Sequence, residues 1–261
     1  RVRSAAVDAG YYEASVEILE SGRRTEGARE YVDLVATVDW GAPVSVSGIT
    51  VRGNEKVDPE FFSKHFSDLV GKPYSPGDTN QAVEELLLTG AFETVRSDPI
   101  KQPDGSFHLD VEVEESYSRT LGIYGGFTNY EGPIGGFEFR NLNLLGQVRT
   151  IDSQIEFSKR GARGELNYKD PWFLGSDYQF GAGIFAQNRS EEGYEKFETG
   201  GRYEFTKRFG RQARNQVSFF GRASYTDVHD SDIAAAFLGD PKYFAHFVGL
   251  SLSHDQRDQP T

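Results

Sequence analysis

From residue 118 to about 255 the chain alternates apolar and polar residues in runs of roughly ten, each closed by a turn, the pattern of strands with two unlike faces. The alternation predicts strands near 118–128, 133–140, 147–158, 162–169, 177–188, 194–206, 215–227 and 243–254. Facing sets separate cleanly. Ile151, Ile155 and Phe157 oppose Asp152, Gln154 and Glu156, and Leu166 and Tyr168 oppose Glu165, Asn167 and Lys169. Tyr178, Phe180, Ala182, Ile184 and Ala186 oppose Gln179 and Gln187. Val217, Phe219, Ala223 and Tyr225 oppose Gln216, Ser218 and Arg222. Six of the eight runs reach the ~9–11 tilted residues that cross a bilayer as a β-strand, and the other two fall just short of it. Inside the series sits an aromatic-rich turn, Asp170-Pro171-Trp172-Phe173-Leu174-Gly175. Aromatics at strand ends are what a membrane barrel presents at the lipid–water boundary, whereas a soluble sandwich has shorter strands. Phe139, Tyr168, Trp172 and Phe173 are therefore the candidate interface aromatics. Eight strands can close a small barrel, but the alternation stops at Thr261 without a closing signature, so half of a larger barrel is expected.

Before residue 118 the period changes. Arg1 to Gly10 reads as the end of a helix closed by glycine, Tyr11 to Glu20 and Tyr31 to Asp39 as strands, and Ser21 to Gly27 as a charged turn. The same order then recurs complete. Val44, Val46, Ile49 and Val51 mark a strand ending at Gly53-Asn54. Asp58-Pro59 opens a helix, with an N-cap followed by proline at the first helical position, and Phe62, His65, Phe66 and Leu69 form its apolar face. A second helix is expected to open at Asp78, capped with Gln81, to carry Ala82, Val83, Leu86 and Leu87, and to close at Gly90. Ala91 to Pro99 is a strand, Gln102 to Ser106 a turn, and Phe107 to Glu114 a strand with Leu109, Val111 and Val113 inward.

Composition limits the function classes. The 261 residues are 37% hydrophobic with mean hydropathy −0.55, and no stretch approaches the ~18 apolar residues of a membrane helix. Residues 1–116 carry a net charge of −11 and residues 117–261 a net of −1. An acidic arm lacks the basic patch that nucleic acid or an anionic membrane surface requires, so no nucleic-acid partner is expected. There is no cysteine, which removes disulfide and thiolate chemistry and suits a periplasm. The chain opens at Arg1 within a helical pattern and stops in mid-pattern, so it is read as a piece of a longer protein.

The β-α-α-β-β order, with "ITVRGN" after its first strand and "LLLTGAFETV" joining second helix to second strand, resembles a POTRA domain. A POTRA unit leading into membrane-length strands resembles the BamA/TamA superfamily of outer-membrane assembly proteins, also called the bacterial surface antigen family. "GNEKVDPEFF", "GKPYSPGDTNQAVEELLLTGAFETV", "GGFTNYEGPIGGFEFRNLNLLG", "YKDPWFLG" and "SHDQRDQPT" carry the likeness. The resemblance implies an α+β POTRA arm followed by an antiparallel transmembrane β-barrel. Residues 1–40 would be the C-terminal part of one POTRA domain, 41–116 a complete one, and 117–261 the first half of a sixteen-stranded barrel. It further implies a periplasmic arm, a barrel in the bacterial outer membrane, and a first strand whose imperfect pairing with the last one templates client strands. Arg119, Thr120, Leu121, Gly122, Ile123, Tyr124, Gly125, Gly126 and Phe127 occupy that strand here. The family's inserted loop with its arginine-glycine-aromatic signature is not in these residues, and the "VRGN" at 51–54 is not that loop.

Little points to an enzyme. No Gly-x-Ser-x-Gly elbow, Walker loop, Gly-x-Gly-x-x-Gly or His-Glu-x-x-His is present. Neither catalytic, cofactor nor metal residues are assigned. His254-Asp255 with Arg257 and Asp258 is better read as a polar strand end than as a metal site, and His65 as a packing residue. Physical function through backbone and surface remains. The POTRA edge at Val51, Arg52, Gly53 and Asn54 can accept an extended segment by strand addition, or be an ordinary protected edge. The glycines of the first barrel strand either weaken its packing for opening or only permit curvature. The expected partners are the outer-membrane bilayer, unfolded outer-membrane clients and periplasmic or inner-membrane accessory proteins. A secretion pore of the two-partner type and a barrel hydrolase using serine and histidine are the alternatives.

Overall fold

A computed structural model of the chain describes residues 2–26, 29–175, 178–209, 215–233 and 239–254. They fall into two compact units. The first holds Arg1–Gly53, Phe62–Leu86 and Thr94–Val113, and the second holds Asn54–Phe61, Leu87–Glu93 and Glu114–Thr261.

The chain begins with helix α1 (Val2–Asp8) and the antiparallel hairpin β1 (Ser15–Glu26) and β2 (Arg29–Asp39), with a bulge between Glu20 and Gly22. β3 (Val46–Arg52), α2 (Pro59–His65), α3 (Pro76–Leu87), β4 (Phe92–Lys101) and β5 (Phe107–Glu115) follow, the β-α-α-β-β order expected from the sequence. The three strands form a sheet in the order β3-β5-β4, with β3 and β5 parallel. Its core is apolar: Phe62, Phe66, Leu86, Leu109 and Val111 are almost wholly buried. Burying such a side chain is worth roughly 1.5–3 kcal/mol, so this cluster contributes substantially to holding two short helices on three strands.

Three local expectations are corrected. The stretch expected as a charged turn from Ser21 belongs to β1, which stays paired with β2 through Glu26. α3 opens at Pro76 and is capped by Ser75, whose Oγ accepts the Asp78 amide at 3.2 Å. Asp78 therefore lies in the first turn, where its charge complements the helix dipole, and Gln81 donates instead to Glu85 at 3.1 Å. β4 continues through Pro99 to Lys101, because β4 is an edge strand and proline costs no ladder bond on an open side.

The second unit contains a single eight-stranded antiparallel sheet in sequence order: β6 (Arg119–Thr128), β7 (Gly132–Leu144), β8 (Arg149–Ser158), β9 (Gly161–Asp170), β10 (Tyr178–Glu191), β11 (Tyr194–Phe209), β12 (Asn215–His229) and β13 (Lys242–His254). Consecutive strands are neighbours throughout, and among the described residues the sheet is open, with β6 and β13 at its edges. All eight strands overlap the segments that alternation predicts. The register puts Glu138, Gln154, Glu165 and Arg202 on one face and Phe139, Ser153, Leu166 and Tyr203 on the other. The apolar face is the exposed one: Leu121, Ile123, Phe157, Ile184, Leu250 and Leu252 are all exposed. The polar face contains Glu198, Thr206, Ser218, Ser224 and Thr226, all buried. A water-soluble sheet has the opposite arrangement, and apolar residues outside with polar residues inside is the pattern of a membrane barrel wall. Among the described residues no helix is long and apolar enough to cross a membrane.

Candidate functional site

Three parts of the second unit carry the residues that the sequence singles out. The first is β6. Its apolar side chains Leu121, Ile123 and Phe127 are 72%, 75% and 73% exposed, so they point away from the sheet's polar face with nothing over them. Arg119 and Thr120 are exposed as well; only Gly122 and Tyr124 are partly covered along the whole strand. β6 pairs with β7 from Arg119↔Asn141 to Thr128↔Gly132, and its other edge has no partner strand among the described residues. Glycine means different things along it. At Gly122 a Cβ would lie 2.5 Å from Glu138 Oε1, so the missing side chain makes room for a neighbour's. Gly125 stands directly opposite Gly135, and at Gly126 a Cβ would meet nothing within 4 Å. The strand is thus braced in one half and bare in the other.

The second part is where the segment 54–58 meets the turn between β7 and β8. Here the Glu115 carboxylate, at the end of β5, accepts three consecutive amides: Glu55 at 2.8 Å, Lys56 at 3.0 Å and Val57 at 2.9 Å. Successive N–H groups turned inward form a nest for an anion, and a charged acceptor makes such bonds stronger than neutral ones. Held in this way, the segment offers its own groups outward. The Asp58 amide donates to the Gly146 carbonyl at 2.9 Å, and the Asn143 side chain donates to the Lys56 carbonyl at 3.1 Å. The turn is unusual in itself, with positive φ at Leu145, Gly146 and Val148 (57°, 75° and 52°). A buried β-branched residue in the left-handed region is costly, and Val148 is held there by its amide donating to Asn143 Oδ1 at 2.9 Å. Of the POTRA edge residues, Arg52 lies 3.3 Å from Asp110, Val51 pairs with Val111, and Asn54 donates to the Val57 carbonyl at 3.1 Å. A Cβ at Gly53 (φ 87°) would sit 2.1 Å from the Val113 carbonyl oxygen, so only glycine fits.

The aromatics form the third part. Phe173 lies 4.9 Å from Phe180, which lies 4.8 Å from Phe205 and 6.4 Å from Tyr168, a continuous cluster on the apolar face at one end of the sheet. Phe139 is exposed on the same face. Trp172 turns elsewhere: its ring packs edge-on against Phe61 at 5.1 Å. The turn that holds it is fixed by buried Asp170, which accepts the Trp172 amide at 3.1 Å and pairs with Arg149 at 3.0 Å.

The polar face carries paired charge rather than a reactive group. Arg222 reaches Glu198 at 2.7 Å, Lys196 lies 3.1 Å from the same carboxylate, and Asn167 joins Asp152 at 2.8 Å. At the opposite end of the sheet from Trp172, Arg160 stacks 4.0 Å from the Tyr130 ring and pairs with Glu191 at 2.9 Å. Glu195, His229 and Asp230 bring ligand-type atoms within 4.8 Å of one another, an exposed group of a kind common without any ion. His254 Nδ1 is 2.8 Å from Asn215, while Asp255, Arg257 and Asp258 lie outside the described residues. In the first unit, His65 bonds through Nε2 to the Ala82 carbonyl at 2.9 Å, and burial pushes its pKa below the usual histidine value, as expected of a packing residue. Sequence reasoning missed both Glu115 and the reach of Tyr124, since each acts on residues distant in the chain. Glu115 follows Asp110, Glu112 and Glu114 in β5, so nothing in the local sequence sets it apart from its acidic neighbours.

Comparison with known proteins gives a consistent picture. The model described as "Omp85 superfamily domain" matches residues 143–261, and the POTRA model "Surface antigen variable number repeat" matches residues 44–116. The chloroplastic outer envelope protein 80 of Oryza sativa subsp. japonica is 28% identical over 147 residues, 53% of this chain and 22% of that protein. The outer membrane protein assembly factor BamA of Neorickettsia risticii (strain Illinois) is 23% identical over 161 residues, 62% of this chain and 22% of that protein. These matches span about a fifth of the relatives' length. Among solved structures, BamA from Haemophilus ducreyi lacking POTRA domains 1–3 superposes with TM-score 0.62 at 16% identity, covering 99% of this chain and 52% of that one. CdiB from Escherichia coli superposes with TM-score 0.57 at 14% identity, covering 97% and 48%.

Proposed function

Because the chain belongs to the Omp85 superfamily, whose barrels lie in outer membranes with POTRA domains in the periplasm, we propose that it is the membrane-proximal part of a protein-insertion factor. In this reading residues 1–40 end one POTRA domain, 41–116 form the next, and 117–261 form the first half of the barrel. The POTRA segment receives unfolded outer-membrane or autotransporter clients, and β6 offers its edge to their strands. The work is non-covalent. The observation that carries the reading is an edge strand, Arg119 to Phe127, at the start of a sheet whose exposed face is apolar. Hydrocarbon provides no water to satisfy bare N–H and C=O groups, so such an edge is a strong template for an incoming strand. Val51 to Asn54 is the second candidate acceptor, and Phe139, Tyr168 and Phe173 anchor the wall at the interface, whereas Trp172, expected among them, packs on Phe61 instead. Partners in this reading are the bilayer, the unfolded clients and accessory proteins on the periplasmic side. The test is reconstitution of the full-length protein into liposomes with a urea-unfolded barrel client. Faster client folding than in empty liposomes is expected, and equal rates contradict the proposal.

The charged polar face favours one further reading, a translocation pore of the two-partner-secretion type. Arg202, Arg222, Glu165 and Glu198 would line a hydrated lumen. Planar-bilayer conductance with and without the POTRA arm separates the two: a steady open pore that the arm modulates favours translocation.

A further inference from the structure

We propose that Tyr124 is a positioning residue of the templating strand, a strut that fixes the first half of β6 as a rigid ledge and leaves Gly125 to Thr128 as its pliable end. The inference rests on the templating reading above and names how that strand is held.

Tyr124 lies on the polar face, and its ring does not stop at the adjacent strand. It crosses β7 at Gly136, where a Cβ would sit 2.5 Å from the tyrosine Cζ and hydroxyl and 2.7 Å from the Ile155 carbonyl oxygen. Only glycine leaves that passage open. Beyond it the hydroxyl donates to Glu156 Oε2 at 2.9 Å and accepts from Gln154 Nε2 at 2.7 Å, both on β8. One side chain therefore ties the edge strand to the strand two places away. The Glu138 side chain, lying over Gly122, adds a second brace from β7. These two positions are the only partly covered ones on β6.

The other half of the strand has neither support. Gly125 faces Gly135 across the pair, so no side chain meets a side chain there, and the space beside Gly126 is empty. Cross-strand side-chain contacts are what stiffen a sheet beyond its backbone bonds, and glycine has the most backbone freedom to lose. A client strand that pairs with an edge already held in shape pays less ordering cost than one that must order a mobile edge. Pairing thus begins on Arg119 to Tyr124, and the pliable end adapts afterwards to the twist of the growing client sheet.

The test uses the full-length protein in lipid nanodiscs for hydrogen exchange and in liposomes for client insertion, with Tyr124→Phe, Tyr124→Ala and Tyr203→Phe. Tyr124→Phe keeps the ring on Gly136 and removes both hydrogen bonds. It should raise exchange over 119–124 about threefold to tenfold, the factor a net hydrogen bond carries, and slow insertion in step. Tyr124→Ala should raise exchange further and slow insertion further, with little change over 125–128. Tyr203→Phe, at a comparable ring-over-glycine seat on Gly221 in the middle of the sheet, should leave both readouts unchanged. Equal exchange over 119–124 in wild type and Tyr124→Phe overturns the strut. Faster exchange with unaltered insertion overturns its positioning role. Failure of the wild type itself to accelerate insertion sinks the templating reading instead, and the exchange data keep the two failures distinct.

Discussion

The two units spend the same residue types in opposite ways. The POTRA-type sheet hides Phe62, Phe66, Leu109 and Val111 and shows charge, whereas the eight-stranded sheet shows Ile184, Leu250 and Leu252 and hides Glu198 and Thr226. The difference teaches that the sheet's stabilising solvent is lipid. A core residue of the first unit loses its partners when truncated. An apolar residue on the exposed face of the second unit, such as Ile184 or Leu250, has little protein over it and is sensitive to charge instead.

That contrast can be broken most forcefully at Phe62. Phe62→Ala should destabilise the first unit by about 3–5 kcal/mol, read as loss of exchange protection across α2, β3 and β5 with the barrel strands unaffected. Ile184→Arg, on the exposed face of β10, should cost about 2–4 kcal/mol of barrel stability in a bilayer if that face meets the hydrocarbon midplane. The same substitution on a water-facing surface would be nearly neutral, so urea unfolding in liposomes decides which solvent covers the face.

Within the second unit the contrast sharpens at Glu115. Glu115→Ala leaves three amides without their acceptor and should cost about 1–3 kcal/mol locally. Exchange at residues 55–58 should rise, with Glu115→Gln intermediate because one carbonyl oxygen remains. His65 gives a smaller, pH-dependent effect in the first unit. Its folded pKa is lowered, so below the unfolded value of about 6.5 the unfolded chain binds a proton that the folded one does not. Its contribution to stability is full above that pH and declines as pH falls through it. His65→Gln should flatten this part of the pH profile of α2–α3 exchange protection. Smallest of all, Gly126→Ala should gain about 0.4–1 kcal/mol, since the added methyl meets nothing and the unfolded chain loses freedom.

What the sequence discloses divides along similar lines. Period-two alternation is a local signal, so all eight barrel strands and their facing sets could be read directly. The start of the first POTRA helix was equally legible at Asp58-Pro59, but its end was not, since α2 stops at His65 and Phe66 and Leu69 of the expected apolar face lie beyond it. The second was misplaced because Asp78 and Gln81 imitate a cap that Ser75 supplies, and two candidate caps three residues apart look alike without coordinates. Long-range pairings left no such trace. Glu115 meets a loop some sixty positions earlier, and Tyr124 reaches past its neighbour to Glu156, contacts fixed by sheet register. Trp172 shows the remaining gap: a turn rich in aromatics does not reveal that one ring faces Phe61 while the next joins Phe180.

The central claim is that β6 templates a client strand, and directed crosslinking during insertion tests it most directly. Cysteines placed singly from Arg119 to Phe127 meet no native thiol in these residues. Paired with single cysteines along one client strand in liposomes, they should form disulfides in a fixed register that shifts two residues at a time. Crosslinks absent from every β6 position while the client still inserts at the accelerated rate would contradict the account.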